Sequence, residues 1–323
     1  MKNSLITYLL VALTGLLPFA PASAQDGVEE VSVAIGQRGL WDTLVIHQGI
    51  EAGFFADENL AVNASWTKGG AETLQAVTTE SVDMGFGNGL LSVLGAYQRG
   101  APVRIIGAQM TGANDLFWYA RPESNLENFT DVAGKRIGYS RPGSSTHLVL
   151  LALLEQAGID ANIVSAGGIS DNRIQVMSGQ LDVGWSVPPF NLDLVKKGEL
   201  QIIGKGSDLP ALSEQTTRVN ISNATFLNER RDVAKRFMKA YMRTVDWMYD
   251  NHEAAIEFFA EFNEIELSVA REAAKFYPKE TLTSVPIKGL DRTMQEAIEH
   301  GALREPLDED RIDELVDYVY DPR

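Results

Sequence analysis

The stretch Glu80-Ser81-Val82-Asp83-Met84-Gly85 has a counterpart later in the chain, Gly179-Gln180-Leu181-Asp182-Val183-Gly184. Both read apolar-Asp-apolar-Gly, the alternation of a short strand ending at a glycine junction. Outward from the first copy, Gly87-Asn88-Gly89 opens a helix over Leu90–Gln98, and Val103–Ala108 is the next strand. On the other side, Val31–Ile35 is a strand and an apolar-periodic helix runs through Thr43–Ala52. Leu60–Trp66 is a strand, and a Gly69-Gly70 turn opens a helix over Ala71–Thr79. Around the second copy, Arg136–Tyr139 is a strand and Gly143–Thr146 a turn. A helix follows over Leu148–Gln156, then a strand near Ile163–Ser165 and a helix over Asp171–Met177. The copy itself runs into Trp185 and Pro188-Pro189. Strand-helix alternation with glycine-bearing junctions predicts open α/β sheets, whose ligand sites lie at the carboxyl ends of strands. Two self-similar halves predict two lobes with a cleft between them. The expected division is 25–120 plus 218–323 for the first lobe and 121–217 for the second. From Asn228 onward the chain reads as helices, expected to cover the outside of the first lobe.

Composition narrows the chemistry. The 323 residues carry 28 Lys+Arg against 44 Asp+Glu, a formal charge of −16, and no cysteine. An acidic balance argues against nucleic acid as a partner, since phosphate binding needs clustered cations. Without cysteine there is no disulfide, thiolate metal site, Cys nucleophile or lipid-modified anchor. At the N-terminus, Lys2, the apolar run Leu5–Phe19 and the small-x-small Ala22-Ser23-Ala24 read as an export signal cleaved after Ala24. Pro18 and Pro21 interrupt that run, which falls short of the roughly 20 apolar residues of a membrane span. Cleavage leaves 323 − 24 = 299 residues at a charge of −17. The expectation is a soluble periplasmic protein with no membrane anchor, acting as a monomer.

Enzyme signatures are missing from the sequence. His47, His252 and His300 fall on predicted helices, and no Gly-x-Ser-x-Gly or His-Glu-x-x-His occurs. The acidic run Asp308-Glu309-Asp310 has no calcium-loop spacing and suits a helix start. No metal, no cofactor and no catalytic residue is expected. What stands out is the run Arg141-Pro142-Gly143-Ser144-Ser145-Thr146-His147. Free N–H groups at a helix start, joined by hydroxyls, form a donor-rich pocket for a carboxylate or sulfonate; simple helix capping is the competing reading. Lys68-Gly69-Gly70-Ala71 and Gly87-Asn88-Gly89 form equivalent junctions in the other half. Trp41 after the first strand and Trp185 after a later one are expected at strand ends facing the cleft. Asp42 is placed to accept from a ligand amine or to cap its helix, while Trp66, Trp118 and Trp247 are assigned to packing.

Taken in order, several segments resemble a known family. They are Gly49–Val62 (GIEAGFFADENLAV), Ser81–Gly87, Gly134–Gly138 leading into Gly143–His147, and Ser178–Val183. The chain resembles the periplasmic solute-binding proteins of ABC importers, in the group with alkanesulfonate-, taurine-, nitrate- and thiamine-pyrimidine-precursor-binding members. The resemblance covers essentially all of the chain after the signal. It implies a two-lobed α/β binding fold with a double crossover, a small-molecule solute held in the cleft, and an ABC permease with its ATPase as partner. It also implies contact from the turn after the first strand, the Gly-Gly turn, the Asn88 junction and the Ser-Ser-Thr turn. The pyrimidine-synthesising relatives carry a cysteine-rich motif that is absent here, which weighs against an enzyme. The expected contacts are Trp41, Asp42, Gly70 and Asn88 from the first lobe. Ser144, Ser145, Thr146, His147 and Trp185 come from the second. A sulfonate- or carboxylate-type anion is the preferred ligand, with a neutral or cationic heteroaromatic as the alternative. A ligand-sensing subunit for a receptor is the other role left open.

Overall fold

The structure, a computed structural model, describes residues 27–322. The expected export signal at 1–24 lies outside the described residues. The first run of elements is β1 (Glu29–Gly36), α1 (Trp41–Glu51), β2 (Leu60–Thr67), α2 (Gly70–Thr78), β3 (Met84–Gly89), α3 (Leu90–Gln98) and β4 (Val103–Thr111). The second is β5 (Phe117–Ala120), β6 (Arg136–Tyr139), α4 (Ser145–Ala157), β7 (Asn162–Ser165), α5 (Ile169–Met177), β8 (Val183–Ser186), α6 (Leu192–Lys196) and β9 (Gln201–Lys205). The chain closes with β10 (Thr216–Asn223), α7 (Ala224–Asp250), α8 (His252–Asn263), α9 (Leu267–Ala274), α10 (Leu290–Glu299) and α11 (Glu309–Leu315).

Two five-stranded sheets share one plan, with strand orders β2-β1-β3-β10-β4 and β7-β6-β8-β5-β9. In each, the first three strands are parallel. The fourth is antiparallel to both neighbours and arrives from the other half of the chain. The repeated Asp explains the self-similar sequence. Asp83 accepts from the Ser32 N–H at 2.7 Å and Ser32 Oγ at 2.8 Å, tying the entry of β3 to β1. Asp182 accepts from the Arg136 N–H at 2.9 Å and likewise ties the entry of β8 to β6. One carboxylate thus sets the same register in both sheets.

The expected boundaries need one correction. Phe117–Ala120, grouped with the first lobe from sequence, pairs with β8 and β9 in the second sheet. The first crossing is therefore 112–116 and the return is 206–215. Four consecutive buried residues do not reveal which sheet a strand joins. The first crossing is bonded to the return and to β10: Gly112 N–H donates to Gln215 O at 2.9 Å, and Thr217 Oγ1 of β10 donates to Gly112 O at 2.7 Å.

The long helix α7 starts where Asn223 caps it, its side chain accepting from Thr225 N–H at 2.7 Å, a bond of about 1 kcal/mol. It kinks at Arg230 and lays Phe237 and Tyr241 on Phe55 and Phe86. The helical block does more than cover the first lobe. Tyr277 Oη donates to Pro188 O at 3.3 Å, and Lys205 sits over the Phe276 ring at 5.9 Å, so the block also reaches the second lobe. No helix among the described residues is long and apolar enough to cross a membrane.

Candidate functional site

A cavity of about 620 Å³ lies between the two sheets. The starts of four helices line it: Leu40, Asp42 and Thr43 of α1, Gly69-Gly70 of α2, Ser144–Thr146 of α4 and Gly168–Asp171 of α5. The first-turn N–H groups of a helix have no partner within it, and the dipole adds partial positive charge there. Four such ends aimed at one space favour an anion.

On the first-lobe side the wall is mainly backbone. A side-chain carbon on Gly70 would fall 2.4 Å from Gly87 O, so only glycine lets the start of α2 approach the end of β3. Beneath this wall lies a buried ion cluster. Arg218 Nη2 meets Asp115 Oδ2 at 2.6 Å, and its Nε lies 3.5 Å from Asp42 Oδ2. Gln109 Nε2 donates to the same Asp42 oxygen at 3.0 Å. Burial works against the Arg218 charge, but the fields of Asp115 and Asp42 outweigh it, so the guanidinium holds its proton more tightly than usual. Arg218 and Asp42 line the cavity, and Asp42 Oδ1 and Arg218 Nε have no hydrogen-bond partner.

The second-lobe wall is side chain. Ser144 caps α4: its Oγ accepts from His147 N–H at 3.2 Å and donates to Arg141 O at 2.7 Å. Thr146 Oγ1 accepts from Ser140 N–H at 2.9 Å and shares hydrogen bonds with the Ser140 and Ser144 hydroxyls. These two hydroxyls shape the turn and take up the His147 N–H, leaving Ser145 and the N–H groups of Ser145 and Thr146 to face the space. Trp185 is 7% exposed, lines the cavity, and its indole N–H has no partner. Arg141 is the wall's cation. Its Nη1 lies 3.5 Å from the position a side chain at Gly69 would take, so it spans from the second lobe to the start of α2. Among the described residues its guanidinium has no ion pair. Burial lowers its pKa and only Glu72 opposes the shift; a guanidinium stays charged regardless.

The lobes also touch beside the cavity. Ser92 Oγ donates to Gly143 O at 2.8 Å, and Leu148 of α4 packs among Leu90, Leu91 and Leu94 of α3.

Asp42, Gly70, Ser144, Ser145, Thr146 and Trp185 therefore come together around one space. Three expected contacts do not. Trp41 is fully buried against Tyr249, His252 and Phe259, with Nε1 donating to Tyr249 Oη at 3.3 Å. As the first residue of α1 it faces the helical block, while its neighbours Leu40 and Asp42 face the cavity. Asn88 lies inside β3, which runs on to Gly89; period-2 alternation turns Gly87 and Gly89 to the cavity and Asn88 away, to Val219 O at 3.4 Å. His147 stacks on Tyr139 at 4.6 Å and faces His300 at 5.8 Å, outside the cavity. Burial, then the His300 charge, pulls its pKa down to about 4. Sequence reasoning includes Arg141 in its donor-rich run without choosing it as a contact, and misses Arg218 and the Gln37-Arg38 loop. A cation two residues before the Gly-Ser-Ser-Thr turn was the available signal for Arg141. Nothing local marks Arg218, whose partners are 103 residues and more away in the chain.

Paired α/β sheets of like order, each completed by a strand crossing from the other half and enclosing a cleft, define the periplasmic binding protein fold. The chain belongs to the family described as NMT1/THI5 like, which it matches over residues 44–255. It is 24% identical over 66% of its length to a 4-amino-5-hydroxymethyl-2-methylpyrimidine phosphate synthase of Aspergillus parasiticus, and spans 65% of that synthase's length. It is 22% identical over 79% of its length to a formylaminopyrimidine-binding protein of Halalkalibacterium halodurans, spanning 78% of that protein. In structure it is similar to the alkanesulfonate-binding protein of Xanthomonas axonopodis pv. citri bound to MOPS. That match has a TM-score of 0.71 and 17% identity, and covers 84% of this chain and 90% of that one.

Proposed function

We propose that this protein is the exported, periplasmic solute-binding component of an ABC importer, capturing a small organic anion and presenting it to a membrane permease. The carrying observation is Arg141: a half-buried cation without an ion pair, spanning from the second lobe to the start of α2 in a cavity lined by helix N-termini. An anion there completes contacts to both lobes at once and so stabilises the closed arrangement over an open one. The likeness to an alkanesulfonate binder supports a sulfonate- or carboxylate-type ligand. The cleft's part is capture and release, with no bond made or broken in it. The lobes are 27–111 with 216–322, and 117–205, hinged at the crossings.

A second reading is a neutral heteroaromatic of pyrimidine type. The unpartnered indole N–H of Trp185 favours it, as does the likeness to a formylaminopyrimidine-binding protein. A ligand that binds only the folded state raises the melting temperature. Melting curves with ethanesulfonate, propionate, ethylamine and 4-aminopyrimidine separate the readings. The anions are expected to stabilise the protein most. A higher rank for the amine or the pyrimidine overturns the anion assignment.

A further inference from the structure

A second cavity of about 640 Å³ adjoins the first. Gln37 and Arg38 line both, so the loop from Gln37 to Leu40 forms a lip between them. Gly39, at φ +102°, lets this loop settle against Phe190, whose ring Cζ is 2.9 Å from where a side chain at Gly39 would begin. Arg38 is occupied: its guanidinium lies 4.8 Å from the Phe262 ring centroid and donates to Phe262 O at 3.1 Å. Like the main cleft, this space has a wall from each lobe, with Pro189 and Phe190 on one side and Phe262, Ile265 and Val269 on the other.

Its chemistry differs from that of the main cleft. Phe190, Phe262, Ile265 and Val269 are all only partly buried and offer apolar surface. Asp193, Glu264 and Glu266 stand among the lining residues against Arg38 and Arg173. Arg173 is already turned to Asn191 Oδ1 at 3.4 Å. Asp193 pairs with Lys197 at 3.6 Å, and the remaining two carboxylates balance the two guanidiniums, so the lining offers no excess positive charge for a second anionic group, while the apolar faces gain by losing water.

We propose that this cavity is the subsite for an uncharged apolar or aromatic tail on the ligand whose anionic head occupies the main cleft. The solute class is then an amphiphilic sulfonate or carboxylate. This rests on the anion reading above.

Calorimetric titration of the whole chain with ethanesulfonate and hexanesulfonate, and with acetate and hexanoate, tests it. Each buried methylene is worth about 0.8 kcal/mol, so even a half-covered tail should make the longer anion bind at least about fivefold tighter. In Val269→Trp and Ile265→Trp, which fill the space, that advantage is expected to disappear. Amide hydrogen exchange supplies a readout independent of the variants: hexanesulfonate should slow exchange at 262–269 beyond what ethanesulfonate does. A long-chain advantage below fivefold overturns the proposal, as does one that survives in both variants or leaves 262–269 unprotected. Failure of every sulfonate and carboxylate to bind, by contrast, strikes the anion reading itself and takes the tail subsite down with it.

Discussion

Arg218 and Arg141 stand on opposite walls of one cavity and carry the same charge, yet the protein uses them differently. Arg218 is locked between Asp115 and Asp42, inside the first lobe and next to both crossings. Arg141 makes no ion pair among the described residues, feels only the field of Glu72, and reaches across the gap. The contrast extends to the walls. The first-lobe wall is glycine backbone over an ion cluster whose cation and carboxylates are paired with one another; the second-lobe wall carries a guanidinium without an ion pair and an unpartnered indole N–H. On the anion reading proposed above, ligand charge would be read mainly by the second lobe, with the first supplying a backbone floor and helix ends.

The comparison can be broken by exchanging consequences. Arg218→Met leaves two buried carboxylates without their cation and should cost about 3–5 kcal/mol of folding stability, measured by urea denaturation. A loss under 1 kcal/mol would show the cluster is not structural. Arg141→Gln should leave stability near that of the parent and weaken anion binding about 10- to 100-fold, the worth of a hydrogen bond to a charged group. Calorimetry checks the affinity, and an unchanged value dissolves the distinction between the two arginines. Gly70→Ala puts a methyl 2.4 Å from Gly87 O; overpacking of this kind costs about 1–3 kcal/mol and should lower the melting temperature.

Smaller effects sharpen the picture. His147, with a pKa of about 4 against an ordinary 6.5, binds its proton more tightly once unfolded. Its contribution to stability is intact above pH 6.5 and is lost as pH falls from there towards 4. At pH 5.5 the loss is about 1 kcal/mol. In His147→Asn that part of the pH dependence of stability should vanish. Trp185→Phe keeps an aromatic ring, though a smaller one, and removes the N–H, which should weaken binding only a fewfold. A larger loss would move the balance towards the heteroaromatic reading.

The sequence carries the fold plainly and the site only in part, for physical reasons. Asp83 and Asp182 sit at equivalent strand entries, so the repeat is visible as letters because each copy performs the same hydrogen bonding. Ser144–Thr146 are legible because a helix start has a local signature. Trp41 and Asn88 fail for the opposite reason. Neither a residue's place next to a strand end nor its company among glycines says which face it turns to, and one step along β3 or α1 reverses the outcome. Phe117–Ala120 joins the second sheet because of partners distant in the chain. Arg218 likewise acquires its role from Asp115 and Asp42, which only the folded chain brings near.

A structure determined with ethanesulfonate bound tests the central claim most directly. The account predicts the sulfonate oxygens within hydrogen-bonding distance of the Arg141 guanidinium and of first-turn N–H groups of both α2 and α4. A sulfonate contacting one lobe alone, or a cleft that stays empty at saturating concentration, would contradict it.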